Sequence, residues 1–146
     1  MMKVIIGFPP NFWKLRKAFP YIIGRKDILY AYGDRIYNPS GNPVPHPLMV
    51  HESVHGLEQD ACGVEQWWER YIAEPEFRFG QEALAHIAEY RAFCDEHKGI
   101  VLRDQYLDFI SHRLASQLYG CMVRPTEARA VILGIVPERS DAPVAG

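Results

Sequence analysis

Val50-His51-Glu52-Ser53-Val54-His55 is an HExxH motif set in an apolar run. Val50, Val54 and Leu57 recur at helical spacing, and no Gly or Pro falls between Leu48 and His55, so the run is expected to be a helix. On that helix His51 and His55 project from one face, a turn apart. Two imidazoles placed so can hold one zinc ion, while Glu52, turned toward the same opening, can take a proton from a water bound there.

A catalytic zinc keeps three protein ligands and leaves a position for water, so a third ligand is expected elsewhere in the chain. The helical stretch Phe77–Tyr90, rich in Ala, Glu and Leu, places Glu82, Ala85, His86 and Glu89 on one face. The small Ala85 would let this helix approach the HExxH helix closely. Glu82 begins the polar stripe and is the expected ligand, with Glu89 deeper as an outer partner; Glu89 or His86 as the ligand are the alternatives. A solvated acidic helix face is what the same residues would mean without the HExxH motif.

One domain is expected. A chain of 146 residues with 48% apolar content can bury a core, and residues 1–136 are read as that domain with 137–146 as a loose tail. The net charge of −2 and scattered basic residues argue against a nucleic-acid surface. Cys62, Cys94 and Cys121 are far apart and odd in number, which fits buried thiols in a reducing compartment. The N-terminal apolar run is too short for a signal segment and no run reaches membrane-spanning length. A cytoplasm, that of a bacterium or of a phage-infected host cell, is the expected location.

Around the motif, Lys3–Phe8 is a β-branched run stopped by Pro9-Pro10 and is expected to be a strand. Asn11 is placed to cap a short helix through Phe19. Ile28–Tyr32 and Arg35–Tyr37 flank Gly33-Asp34 as a tight hairpin. If its edge lies beside the metal helix, a peptide can add to it as a further strand; otherwise its tyrosines pack on the helices. Asn38–Pro47 is a Pro-rich loop carrying His46, a marginal ligand candidate. Helices are expected at Val64–Ala73, where Trp67 and Trp68 serve as scaffold, through Glu82 to about His97, over Gln105–Leu118, and over Thr126–Ile132. Tyr119-Gly120 is a helix-stop signal.

The order and spacing of Ala31–Gly41, Val50–His55, Trp67–Ile72, Phe77-Arg78, Gln81–Ala85 and Leu118–Gly120 resemble the small HExxH proteins encoded by bacteriophages and prophages, described as zinc metallopeptidases. The resemblance covers about Tyr21 to Gly120. It implies a minimal zincin-like domain of the gluzincin type, an α+β fold that is mainly helical with a small hairpin or sheet beside the HExxH helix. It also implies Glu82 as third ligand. This chain has His86 and Glu89 where such proteins tend to carry Tyr and Gln.

The function expected from these readings is zinc-dependent hydrolysis of a peptide or protein substrate. His51, His55 and Glu82 would hold Zn2+, Glu52 would accept the water's proton and pass it to the leaving amine, and Tyr119 would donate to the oxyanion with His112 behind it. Glu89 or Asp60 would accept the ring N–H groups of the histidines. The competing expectation is a phage-type structural or interaction protein in which a non-catalytic zinc only stabilises a small fold.

Overall fold

The structure is a computed structural model and describes residues 2–134. The expected tail, 137–146, and the domain end at residue 136 lie outside the described residues. Three short strands form the sheet. β1 (Lys3–Ile5) lies parallel to β3 (Arg35–Tyr37), and β2 (Tyr30–Tyr32) lies antiparallel to β3 on its other side. β1 is shorter than its β-branched run predicts because β3 gives way to Asn38-Pro39, where the proline has no N–H for the ladder. Pairing survives one step further, through Asn38 N–H to the Ile5 carbonyl at 2.8 Å and Gly7 N–H to the Asn38 carbonyl at 3.3 Å.

Six helices supply most of the chain: α1 (Phe12–Ala18), α2 (His46–Cys62), α3 (Val64–Ala73), α4 (Pro75–Glu96), α5 (Ile100–Leu114) and α6 (Pro125–Ile132). Single 3-10 turns occur at Pro20–Ile22 and Gln117–Tyr119. The fold is therefore mainly helical α+β, with a small mixed sheet beside the HExxH helix α2. That helix starts two residues before the expected Leu48. Pro47 falls in its first turn, where a missing N–H costs nothing, and the Pro45 carbonyl accepts from Leu48 and Met49 N–H at 3.0 and 3.1 Å.

Two other expectations change. Asn11 precedes α1, but its side chain makes no cap; both of its polar side-chain atoms are buried without a partner. Nothing in the structure explains that. α5 runs from Ile100 rather than Gln105 and stops at Leu114 rather than Leu118. Its first residues, Ile100, Val101 and Leu102, are exposed, so they carry no buried periodicity. Its end is set by Ser116, whose Oγ accepts from Leu118 N–H at 3.3 Å and caps the following 3-10 turn instead.

α2 packs most extensively on α4. The contact is close because Ala85 is fully buried between them. On its other side α2 meets the hairpin, with Gly56 at the closest approach. A Cβ on it would lie 2.9 Å from Met2 Sδ and 3.4 Å from the Gly33 carbonyl oxygen. Gln59, one turn beyond His55, fixes the approach: its Oε1 accepts from Gly33 N–H at 2.7 Å and its Nε2 donates to the Ala31 carbonyl at 2.9 Å.

The apolar core has two parts. Leu15, Ile22, Tyr30, Trp67, Trp68 and Tyr71 form one cluster, and Leu107, Ile110, Leu114, Tyr119, Ala128 and Ile132 form the other. Leu118 packs against both. Each large side chain so buried contributes roughly 1.5–3 kcal/mol. The thiols are free, but not buried as expected: Cys62 and Cys121 are exposed and Cys94 half-buried. Among the described residues no helix is long and apolar enough to cross a membrane.

Candidate metal centre

Between the two clusters, α2 and α4 bury a set of polar side chains that an apolar interior tolerates only when they are partnered. His51, Glu52 and His55 come from α2, and Glu82, His86 and Glu89 from α4. The i, i+4 spacing on α2 sets the His51 and His55 rings 5.1 Å apart, edge to face. Glu82 reaches across from α4 and meets both: His51 Nε2 lies 3.2 Å from its Oε1 and His55 Nε2 lies 3.2 Å from its Oε2. These three residues are all buried and offer ligand atoms within 4.8 Å of one another, so they can hold one metal ion.

The opposite ring edges are held too. His51 Nδ1 faces Glu89 Oε1 at 2.8 Å, and His55 Nδ1 faces Glu58 Oε1 at 2.9 Å. A carboxylate there accepts, so each Nδ1 carries the proton and each Nε2 is directed at Glu82. Glu89 was the expected outer partner; the other is Glu58, not Asp60, which is exposed elsewhere on α2. Tyr71, from α3, donates its hydroxyl to Glu82 Oε2 at 2.6 Å. Its role was not foreseen, because nothing in the local pattern relates α3 to α4 side chains.

The alternatives to Glu82 are occupied. His86 Nδ1 donates back along its helix to the Glu82 carbonyl at 2.6 Å, and its Nε2 accepts from Arg113 Nε at 3.1 Å. A carbonyl can only accept and a guanidinium can only donate, so this ring is neutral with no free lone pair. Glu89 accepts from His51, from the Tyr106 hydroxyl and from Arg113. His51, His86 and Glu89 also lie close enough to make a ligand group, but those bonds consume it. Glu82 alone faces both Nε2 atoms.

Charge follows geometry. Burial alone would lower His51, but the Glu82 and Glu89 carboxylates outweigh it and push the imidazole up to about 9. His55 is raised well above its ordinary value for the same reason, burial being overcome by Glu82 and Glu58. Glu82 moves well below the usual carboxylate range, because the His55 and His51 charges overcome its burial. Glu89, likewise buried, is held at about 2 by His51 and Arg113. His86 goes the other way, to about 3, through burial and the His51 and Arg113 charges. In the metal-free protein, protons on the imidazoles thus occupy the place suited to a divalent cation. Glu52 is raised by its burial, more than the two imidazoles lower it. That moves a carboxylate toward the basicity a proton acceptor needs near neutral pH.

The triad lies on the wall of a cavity of ≈ 60 Å³ lined by both core aromatics and site residues. A wider cleft of ≈ 980 Å³ shares His51, Glu52, Leu118 and Tyr119 with it and leads to the surface. Tyr119 therefore stands at the site. Burial, then the Glu82 charge, keeps its hydroxyl protonated far above its ordinary range, so it is a donor. Behind it sits His86, edge-on at 5.4 Å, rather than the expected His112, which is exposed on the cleft rim. His46 is exposed at the start of α2, 4.0 Å from Glu96, and takes no part. The edge of β2 does lie beside α2, but strand addition is blocked at Ala31, whose carbonyl already accepts from Gln59 and from Trp68 Nε1 at 3.1 Å. Ile28 and Leu29, ahead of β2, line both the cavity and the cleft, while Tyr30 and Ala31 line the cavity alone. Trp67 and Trp68 are scaffold, Trp67 packing 5.2 Å from the His55 ring.

The residues fit a metal. His55 Nε2 is buried and its one polar neighbour is Glu82 Oε2 at 3.2 Å, without a well-aligned hydrogen bond between them, so the nitrogen is free to take a ligand between the two. Two nitrogen donors, each braced at its Nδ1, and one carboxylate make a donor set that suits a metal ion. Neither a known protein family nor a curated protein nor a solved structure matches this chain.

Proposed function

We propose that the protein is a zinc-dependent peptidase of minimal zincin-like build, acting on peptide or protein substrates in a reducing compartment. The observation that carries this reading is the convergence of His51 Nε2, His55 Nε2 and the Glu82 carboxylate beside an open cleft that Glu52 also lines. Bound zinc would supply Lewis acidity, lowering the pKa of a water and polarising the scissile carbonyl. His51, His55 and Glu82 hold it, and Glu89 and Glu58 keep the two rings in the tautomer that presents Nε2. Glu52 accepts the proton of the attacking water and returns it to the leaving amine; its carboxylate lies 3.9 Å from His51 Nε2, at the same opening. Tyr119 stays protonated at neutral pH and donates to the developing oxyanion.

A purely stabilising zinc has no use for Glu52 beside the ions' position or for a cleft of ≈ 980 Å³ leading to it. The test combines metal analysis of protein purified without added metal with cleavage of a peptide library. About one zinc per chain in the wild type and in Glu52→Gln, with cleavage lost roughly 10²–10⁴-fold only in the variant, is the expected result. Zinc in both proteins and cleavage by neither would leave the metal as a structural element of an interaction protein.

A further inference from the structure

His51 belongs to two donor groups. With His55 and Glu82 it frames the metal position beside Glu52, and with His86 and Glu89 it makes a second set whose ligand atoms also lie within 4.8 Å of one another. The two sets use opposite edges of one ring: Nε2 faces Glu82 at 3.2 Å and Nδ1 faces Glu89 at 2.8 Å. A neutral imidazole has a single lone pair, so its tautomer commits it to one set and withholds it from the other. The two edges also differ in what stands beside them. The Glu52 carboxylate lies 3.9 Å from His51 Nε2, so a metal on that edge has a proton acceptor at hand. A metal on the Nδ1 edge would sit across the ring from that contact.

The second set already holds a cation. Arg113 crosses from α5 and spans it: its Nε donates to His86 Nε2 at 3.1 Å and its Nη2 to Glu89 Oε1, the oxygen that also accepts from His51 Nδ1. Two nitrogens of one planar group touch both atoms, so His86 Nε2 and Glu89 Oε1 are aimed at one place and the guanidinium fills it. The other ends of both side chains are fixed, His86 Nδ1 donating to the Glu82 carbonyl at 2.6 Å and Glu89 Oε2 accepting from the Tyr106 hydroxyl. His86 and Glu89 are fully buried, and a carboxylate so placed needs a positive partner. A guanidinium stays charged at any working pH and its fork reaches two acceptors at once, which the point charge of a lysine does not. The Arg113 side chain is 20% exposed and lines the outer cleft, so the place it fills would be reached from solvent without it.

We propose that Arg113 is a positioning residue for the metal: its guanidinium stands as a built-in cation in a second metal position made by His51, His86 and Glu89, and by filling it confines zinc to the edge of His51 where Glu52 stands. The proposal rests on the zinc reading of the same centre. It makes the second set a latent divalent-metal site that the loss of one side chain uncovers.

Its test is a gain of binding, which a loss of structure cannot imitate. Zinc affinity is read by competition with a chelating indicator. His55→Ala removes a ligand of the first position only and should weaken zinc by more than the roughly 10–100-fold that losing an outer partner costs. Adding Arg113→Leu, which keeps an apolar stem and removes the guanidinium, should restore binding at least about tenfold over His55→Ala alone. A third change, His86→Ala, should abolish that gain, and Arg113→Lys in place of Arg113→Leu, which retains a cation, should give much less of it. Where the protein with both His55→Ala and Arg113→Leu folds poorly without metal, its thermal midpoint with and without zinc reads the same gain, since a metal held only by the folded chain raises stability. No gain by either reading, or a gain that survives His86→Ala, overturns the second position while leaving the first intact. A wild-type protein that binds no zinc overturns the metal centre, and this inference with it.

Discussion

Zinc uptake by this site should expel protons, and the number is set by how firmly the carboxylates hold them. Zinc binds neutral imidazole. In the metal-free protein His51 is raised from its ordinary 6.5 to about 9, and His55 is raised as well. At pH 7 the His51 proton is therefore held by about two pH units, equivalent to about 3 kcal/mol or roughly a hundredfold in zinc affinity. Affinity should rise about tenfold per pH unit for each proton displaced between pH 6 and 8, and level off as pH passes about 9. The stability of the metal-free protein runs the opposite way. A group whose pKa is raised on folding stabilises fully below its unfolded value, so the His51 contribution is complete below 6.5 and is lost as pH rises through about 9. The assay is calorimetric titration with zinc at fixed pH in buffers of different ionisation enthalpy; the slope of apparent heat against buffer enthalpy counts protons. At least one proton released at pH 7 is expected. No release anywhere between pH 6 and 8 would refute the claim that Glu82, Glu89 and Glu58 hold the imidazoles protonated.

Three further outcomes follow from single contacts. Glu58→Ala removes the acceptor of His55 Nδ1–H and should weaken zinc roughly 10–100-fold with little change in the fold, measured by competition with a chelating indicator; unchanged affinity would mean that the ring needs no bracing. Gln59→Leu leaves the Gly33 N–H without its partner, while the Ala31 carbonyl keeps Trp68. It should cost about 1–3 kcal/mol in urea unfolding and spare zinc binding. Tyr119→Phe should lower kcat roughly 10²-fold at unchanged zinc content if its hydroxyl donates to the oxyanion, and equal kcat in the two proteins would reduce Tyr119 to a wall residue.

Much of the site was legible because it is local. HExxH needs only a helix to bring two imidazoles to one face, and the absence of Gly or Pro from Leu48 to His55 secures that helix. The polar stripe on α4 was legible for the same reason, and so was the close-packing role of Ala85. Choosing among Glu82, His86 and Glu89 was not a matter of periodicity, since all three share one face. The choice depends on Arg113 and Tyr106, which arrive from α5 and use up His86 and Glu89. Reading buried periodicity also misplaced α5, whose first turn exposes Ile100, Val101 and Leu102.

What the sequence by itself determined is therefore what rests on spacing along one helix or one turn: the mainly helical composition, the hairpin about Gly33-Asp34, and the pair of histidines with Glu52 between them. Only the tertiary structure decided which carboxylate faces both Nε2 atoms, that Glu58 rather than Asp60 braces His55, and that Ala31 is closed to strand addition by Gln59 and Trp68. The physical reason is range. Helix and turn geometry are set by neighbours three or four residues apart, whereas a hydrogen-bond partner or a cavity wall is set by packing between elements, which brings His51 and Glu89, 38 residues apart, within 2.8 Å.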